Sequence, residues 1–409
     1  MKPKLPNKQL TTGLVAFVCF TACQFAGEKK GTVTHAPAQA DMGYNLTPAD
    51  TLKIAVKPNT KPVNKANSFK RLNDRPVLVD YNTYNHSLNF YFLDSATSKQ
   101  TNLIKEGPGA IEEISGLLLH NTDSIFATVV CCENKLYLLD FSGNIRQQWY
   151  VNDKLPAYNE LEYDLIKHAI FTLDYDATRK HFTLVADPYV SPEKRAYYNL
   201  PLLLAYNIEK NKVDYNYVYY PEFYRQKDNY FINDKIARVR LGDQEFISFP
   251  ADHSLHVYDA NTKEKIVKIK AASKFMPQSI RAIGQFGKNL QNMELQTAYY
   301  LTGGRYLNFM YDPYREIFYR LVKIPATNWQ DSDGNPLDFN SLEYSIMVLN
   351  KKLQVTSEIN LPVNIYDFNM MFVDTAGLWI STNNPNNTTV TEDSLQLQLL
   401  SLTITDGRE

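Results

Sequence analysis

The densest run of chemically competent side chains in this sequence is Tyr-Asp-Pro-Tyr-Arg-Glu-Ile-Phe-Tyr-Arg, residues 311–320. Pro313 fixes a turn after Asp312. Arg315 and Arg320 offer planar donors suited to carboxylate or phosphate, and Tyr311, Tyr314 and Tyr319 supply flat faces for sugars or rings. Tyr311, Asp312, Tyr314, Arg315 and Arg320 are therefore the leading ligand-binding candidates. The same text also describes a tight turn between two strands, with Arg320 paired to an acid between sheets.

A second run, Asp-Ser-Asp-Gly-Asn-Pro-Leu-Asp at 331–338, clusters oxygen donors of the kind Ca²⁺ requires. Asp331, Asp333, Asn335 and Asp338 would be the ligands, although no Glu closes the loop and these residues also make ordinary surface turns. His253 and His256 stand three apart in text that reads as turn plus strand. Strand alternation sends them to opposite faces, so they form no metal pair. Glu112 and Glu113 follow a Gly-Pro-Gly turn and could be paired carboxylates for acid–base work; adjacent acids at a solvated blade connection are the preferred reading. No nucleophile elbow, phosphate-binding loop or dinucleotide fingerprint occurs, and no cofactor is implied.

The elements that must position these residues repeat along the chain. The segment Ser124–Trp149 holds an apolar strand, a turn, the strand text KLYLLD, a Ser-Gly-Asn turn and a third strand starting at Ile145, which is a β-meander. With Ile114–Leu119 ahead of it, this is one of six similar units. The others are Val77–Ile104, His168–Tyr220, Ala237–Ala271, Gln296–Pro362 and a sixth beginning at Phe368. A four-stranded sheet cannot bury both of its faces alone, and radial stacking of several such sheets does so while protecting most edges. The expected fold is an all-β, six-bladed β-propeller, with seven blades as the alternative count and a two-layer sandwich as the structural rival. The sixth unit lacks an outer strand. The alternating text of Asp50–Pro58 is expected to supply it and so close the ring. The repeated Trp-Asp, Asp-box and tryptophan-docking signatures of other propellers are missing.

Composition agrees. The 409 residues are 44% apolar and 13% aromatic, with 28 Tyr and 21 Phe, as β-rich pairing favours. Lys plus Arg (43) and Asp plus Glu (44) nearly cancel. The basic stripe that nucleic-acid binding needs is absent.

The first residues read as an address. Lys2, Lys4 and Lys8 precede a short apolar run, Leu14–Phe20, and then Thr21-Ala22-Cys23, the zones of a secretory signal too short to span a bilayer. The arrangement resembles a bacterial lipoprotein signal, with Phe20 where such signals usually carry an aliphatic. That resemblance implies that Cys23 becomes the lipidated first residue of the mature chain, a membrane attachment through acyl groups. The domain reading is a signal over residues 1–22, a polar, small-residue tether over 23–49 that cannot bury a core, and one propeller over 50–409. Cys131 and Cys132 are adjacent in a strand, so a bridge between them would need a distorted backbone; one buried and one sheet-facing thiol is the plainer reading.

The lipoprotein start, the blade text NKLYLLDFSGNIRQQW, the connection EGPGAIEEI and YDPYREIFYRLVKIP together resemble the DUF4221 family of Bacteroidetes envelope lipoproteins. They also resemble the wider group of six-bladed propeller lipoproteins in which GPGE-type turns recur. Here the turn reads GPGA, so no acid is carried over at Ala110. The resemblance spans the mature chain and implies fold and an envelope location. Gln24-Phe25-Ala26 lacks the acidic run that resembles surface-export signals of such bacteria, so the expected position is an outer-membrane lipid anchor facing the periplasm. It transfers no catalytic residues. Four Asp-Ser/Thr-apolar triplets, at Ser95, Ser124, Thr375 and Ser394, resemble the O-glycosylation acceptors of such bacteria.

The functional expectation is an envelope-anchored propeller that binds or scaffolds a protein or glycan ligand. The alternative is a hydrolase or lyase acting on glycans or peptides at the propeller funnel, and whether the chain is an enzyme stays open at this point.

Overall fold

A computed structural model describes residues 33–34, 43–57, 60, 64–129, 135–151, 163–165, 173–188, 195–225, 231, 235–284, 292–391 and 393–405. The signal with Cys23, most of the expected tether, and Cys131 and Cys132 lie outside these residues. Strands β1 (Val33–Thr34) and β2 (Gly43–Ala55) come first. Blade I holds β3 (Asn64–Leu72), β4 (Arg75–Asn82), β5 (Ser87–Phe92) and β6 (Thr97–Asn102). Blade II holds β7 (Ile114–Leu119), β8 (Ser124–Val129), β9 (Lys135–Asp140) and β10 (Ile145–Tyr150). After β11 (Tyr163–Leu165), blade III holds β12 (Asp174–Asp176), β13 (His181–Pro188), β14 (Leu203–Asn207) and β15 (Lys212–Tyr217). Blade IV holds β16 (Ala237–Leu241), β17 (Gln244–Ser248), β18 (Ser254–Asp259) and β19 (Lys265–Lys270). Helix α1 (Met293–Thr302) leads into blade V, with β20 (Arg305–Asp312), β21 (Ile317–Lys323), β22 (Tyr344–Leu349) and β23 (Val355–Leu361). Blade VI holds β24 (Asp367–Asp374), β25 (Gly377–Ser381) and β26 (Ser394–Thr405).

The sheets form a six-bladed β-propeller. Middle strands such as β4 and β8 are buried nearly throughout, because each blade face packs on a neighbour. Outer strands such as β10 keep mostly polar, exposed residues. Six apolar clusters join the blades in cyclic order. For example, Val79 of blade I packs in one with Leu117 of blade II, and the last joins Leu395 and Trp379 of blade VI to Leu78 and Tyr91 of blade I. The clusters between form the II/III, III/IV, IV/V and V/VI contacts. Each blade therefore has a packed partner on both sides, which fixes the count at six and excludes the sandwich.

The ring closes through β2. It runs antiparallel to β26, from Gly43 opposite Thr405 to Ala55 opposite Ser394, giving the sheet order β2-β26-β25-β24. Ile54 and Leu46 of β2 are buried. The closing strand thus begins at Gly43 rather than Asp50, with a register shift at Pro48/Asp50 that extends the pairing beyond the alternating text. Val33–Thr34 pairs in parallel with Lys268–Ile269 at the outer edge of blade IV. The expected tether, 23–49, therefore contains two paired segments.

The recurring strand text ending in Asp or Asn has a local cause. The side chain of the final residue accepts backbone N–H groups of the following turn, replacing ladder partners the chain has just left. Asp140 Oδ1 accepts from Ser142 (2.8 Å) and Asn144 (3.0 Å), Asp259 Oδ1 from Asn261 (2.7 Å) and Thr262 (2.8 Å), and Asn350 Oδ1 from Lys352 (2.9 Å) and Gln354 (3.0 Å). The turn after Asp140 needs a left-handed residue, supplied by Gly143 at φ +80°.

Candidate functional site

The inner strands surround the propeller axis: β3 lies against β7, β16 against β20, β20 against β24, and β24 against β3. Four of them, β3, β7, β20 and β24, carry a register shift against the second strand of their blade. Such bulges re-aim side chains. Asn308 and Asn369 lie within two of these shifts, and both face the axis.

There the structure encloses a cavity of about 530 Å³. Every blade contributes to its wall: residues 67–71 of β3, Leu118 of β7, 173–174 at β12, 238–241 of β16, 308–311 with 313–314 around β20, and 369 with 371–373 of β24. Most come from the C-terminal halves of the inner strands, so the cavity lies toward the end of the axis where those strands turn into their partners. Its size is that of a small-molecule site.

The shaft of the cavity is lined by both apolar and cationic side chains. Phe69, Val239, Met310 and Met371 supply the apolar surface, and Lys70, Arg71, Arg238 and Arg240 the charge. Three of these cations are matched by acids seated in the blades. Arg71 Nη1 contacts both oxygens of Asp374 (2.8 and 3.1 Å), and Arg240 Nη2 contacts Asp176 Oδ2 (3.1 Å). Arg238 is buried; it donates through Nε to Glu245 and through Nη2 to Asp174 Oδ2 (3.2 Å). Burial acts to lower its pKa, but Glu245 and Asp174 outweigh it and hold the guanidinium above its ordinary value. Lys70 differs. Its Nζ donates to the carbonyl of His120, and burial lowers its pKa with no acid opposing the shift. Asp174 is the one carboxylate on the cavity wall among the described residues.

The residues singled out from 311–320 divide. Tyr311 and Tyr314 face the cavity, Tyr314 nearly half exposed. Asp312, Arg315 and Arg320 do not line it. Asp312 is buried and accepts from the backbone of Tyr314 (2.9 Å) and Arg315 (3.0 Å), from Arg315 Nη1 (2.9 Å) and from Tyr319 Oη (3.3 Å). Arg315 also reaches blade VI, donating through Nη2 to the Thr375 carbonyl (2.8 Å). Arg320 is fully buried between blades IV and V. It donates to Ser248 Oγ (2.9 Å) and to the carbonyls of Ala271 (2.9 Å) and Asp252 (2.7 Å), so its partners are a hydroxyl and carbonyls in place of the expected acid. These three residues hold a turn and two blade seams.

The 331–338 run spreads into separate turns. Asp331 Oδ1 accepts from the backbone of Asp333 and Asn335 (both 2.9 Å), whereas Asp338 caps the 3₁₀ turn Phe339–Ser341 through Asn340 N (3.0 Å) and meets Asn386 (2.6 Å). No group of three or more His, Cys, Asp or Glu side chains among the described residues is placed to hold a metal ion. His256 contacts Asp252 (2.8 Å), itself bridged to Lys268 (2.9 Å), while His253 Nδ1 meets Tyr306 Oη (2.8 Å). Glu112 pairs with Lys135 (2.7 Å). Of the four triplet hydroxyl residues, Ser95 and Thr375 are exposed, and Ser124 and Ser394 are buried.

The sequence reading missed the cations. Lys70 and Arg71 sit in a strand that precedes the first recognised unit, and Arg238 and Arg240 come from blade IV. The alternation Arg-Val-Arg at a strand end was the available signal.

Comparison with known proteins places this architecture. Residues 43–360 match the family model described as a domain of unknown function, DUF4221. A crystal structure of a DUF4221 member from Bacteroides vulgatus superposes with a TM-score of 0.74 at 18% identity, covering 89% of this chain and 99% of that one. A putative exported protein from Bacteroides fragilis superposes with a TM-score of 0.53 at 12% identity, covering 91% of this chain and 98% of that one. No curated protein matches.

Proposed function

From the premise that this chain belongs to the DUF4221 family, we propose that it is an exported lipoprotein, anchored through Cys23, whose propeller binds a ligand in its central cavity. A binding or scaffolding role is what a rigid ring of six packed blades supports. The observation that carries the cavity as the site is its wall, to which every blade contributes at least one residue. The export reading draws support from the secretory text at the start of the sequence and from the name of the Bacteroides fragilis relative. No helix among the described residues is long and apolar enough to cross a membrane; the proposed attachment is through acyl groups on Cys23. An outer-membrane, periplasm-facing position belongs to the same proposal.

The hydrolase or lyase alternative asks for two convergent carboxylates, or a His with an acid. Among the described residues the cavity wall carries one carboxylate, Asp174, tied to Arg238. Two experiments test the proposal. Labelled palmitate should enter the wild-type protein and not Cys23→Ala. Screening the propeller against glycans, peptides and small organic molecules should yield ligands that Met310→Trp, which fills the shaft, no longer takes. Ligands held equally by that variant would move the site elsewhere.

A further inference from the structure

The cavity wall carries its charges in an ordered way, and that order selects a chemical class of ligand. Arg71, Arg238 and Arg240 have acids seated in the blades: Asp374, Glu245 with Asp174, and Asp176. Asp374, Glu245 and Asp176 do not line the cavity, whereas Asp174 does. Lys70 has no acid within ion-pair distance among the described residues. An ammonium carries three N–H donors, and Lys70 uses one, on the His120 carbonyl. Two donors and a full charge therefore remain beside Arg71 at the cavity wall. Lys70 is exposed, so its ammonium is open to a ligand anion. Along the shaft, Phe69, Val239, Met310 and Met371 offer no donors, only apolar surface.

We propose that the central cavity takes an elongated organic acid, its carboxylate received by Lys70 with Arg71 and Arg240 alongside, and its apolar body laid along the Phe69–Val239–Met310–Met371 shaft. This deepens the central-cavity reading and rests on it. The cavity volume suits a body of several carbons, with Lys70 available to its charged group and the apolar wall to the rest. Lys70 is a ligand-positioning residue here; Arg71 and Arg240 contribute field while remaining bound to their own acids.

Three probes separate the parts of the proposal: octanoate, which has body and charge; octan-1-ol, which has the body alone; and acetate, which has the charge alone. Binding is read by titration calorimetry and by the shift in thermal midpoint of the intact propeller. Octanoate should bind at least tenfold tighter than either of the others. Lys70→Gln should weaken octanoate at least tenfold, leave octan-1-ol unchanged and leave the ligand-free midpoint unchanged; Lys70→Arg should restore octanoate binding. Met310→Trp, confirmed folded by circular dichroism, should abolish binding of both long probes. Equal affinity for octanoate and octan-1-ol, indifference of octanoate to Lys70→Gln, or no binding of octanoate to wild type would overturn the organic-acid assignment. Octanoate binding that survives Met310→Trp would instead overturn the central-cavity reading beneath it.

Discussion

The guanidinium of Arg320 lies 3.3 Å from the centroid of the Tyr306 ring, with both side chains fully buried between blades IV and V. The stacking leaves the edge of the guanidinium free to donate to Ser248 and to the carbonyls of Asp252 and Ala271. Tyr306 Oη in turn accepts from Ser273 N (3.0 Å) and meets His253 Nδ1. One cation on one ring thereby satisfies the loop that ends blade IV's second strand and the segment that leaves its fourth. Burial pulls the Arg320 pKa down to about 10, still well above neutrality.

Arg320→Lys keeps a charge but loses the planar fork, leaving buried carbonyls without donors. The expected cost is about 3 kcal/mol of folding stability, measured by urea unfolding. A change under about 1 kcal/mol would mean that water replaces the guanidinium and that the seam is held elsewhere.

Asp80 gives a pH signature. It is fully buried in blade I, and burial pushes its carboxyl up to about 7, although Asn89 and Tyr91 pull the other way; Tyr91 Oη donates to its Oδ2 at 3.3 Å. The folded chain therefore holds this proton more tightly than the unfolded one, whose carboxyl titrates near 4. Its contribution to stability is complete below pH 4, declines as pH rises from about 4 to about 7, and is constant above that. Asp80→Asn should remove this slope. Unfolding titrations of the two proteins across that range check the difference, and parallel curves would refute it.

Arg315 and Tyr314 are neighbours with separable roles. Arg315→Ala breaks the pair with Asp312 and the reach to the Thr375 carbonyl. It should cost about 1–2 kcal/mol while leaving cavity binding intact. Tyr314→Ala, exposed at the cavity, should do the reverse, with stability within about 0.5 kcal/mol of wild type and ligand affinity changed. Thermal melts paired with ligand titrations distinguish the two.

Ile54 tests the closure. It is fully buried in β2, against the cluster that joins blade VI to blade I. Ile54→Ala should lose about 3 kcal/mol. Deleting β2 altogether should expose the long edge of β26 and drive association of chains, seen by light scattering. A monomeric, fully stable protein without β2 would show that the inter-blade clusters suffice.

The blades were legible because their middle strands are buried on both faces, giving continuous apolar text such as β8, and because a terminal Asp or Asn closes so many third strands. The inner strand of blade I was not. In NKANSFKRL the apolar residues are few, and Asn67, Lys70 and Arg71 line the axial cavity where other strands carry hydrophobes. Helix α1 was also missed, because its residues from Gln296 onward read as the start of the fifth unit. Of the candidate site, Tyr311 and Tyr314 were found from their own motif. The lysine and arginines were not, because nothing local in residues 70–71 or 238–240 announces that a ring brings them to one cavity.

Pairing β2 with β26 also sets an order of events. Residue 46 emerges from the ribosome long before residue 402, its eventual neighbour across the sheet. Until that segment is available, β2 has no place to dock and blade I lacks one flank. The nascent chain therefore stays an open arc, and only a nearly finished polypeptide shuts into a circle.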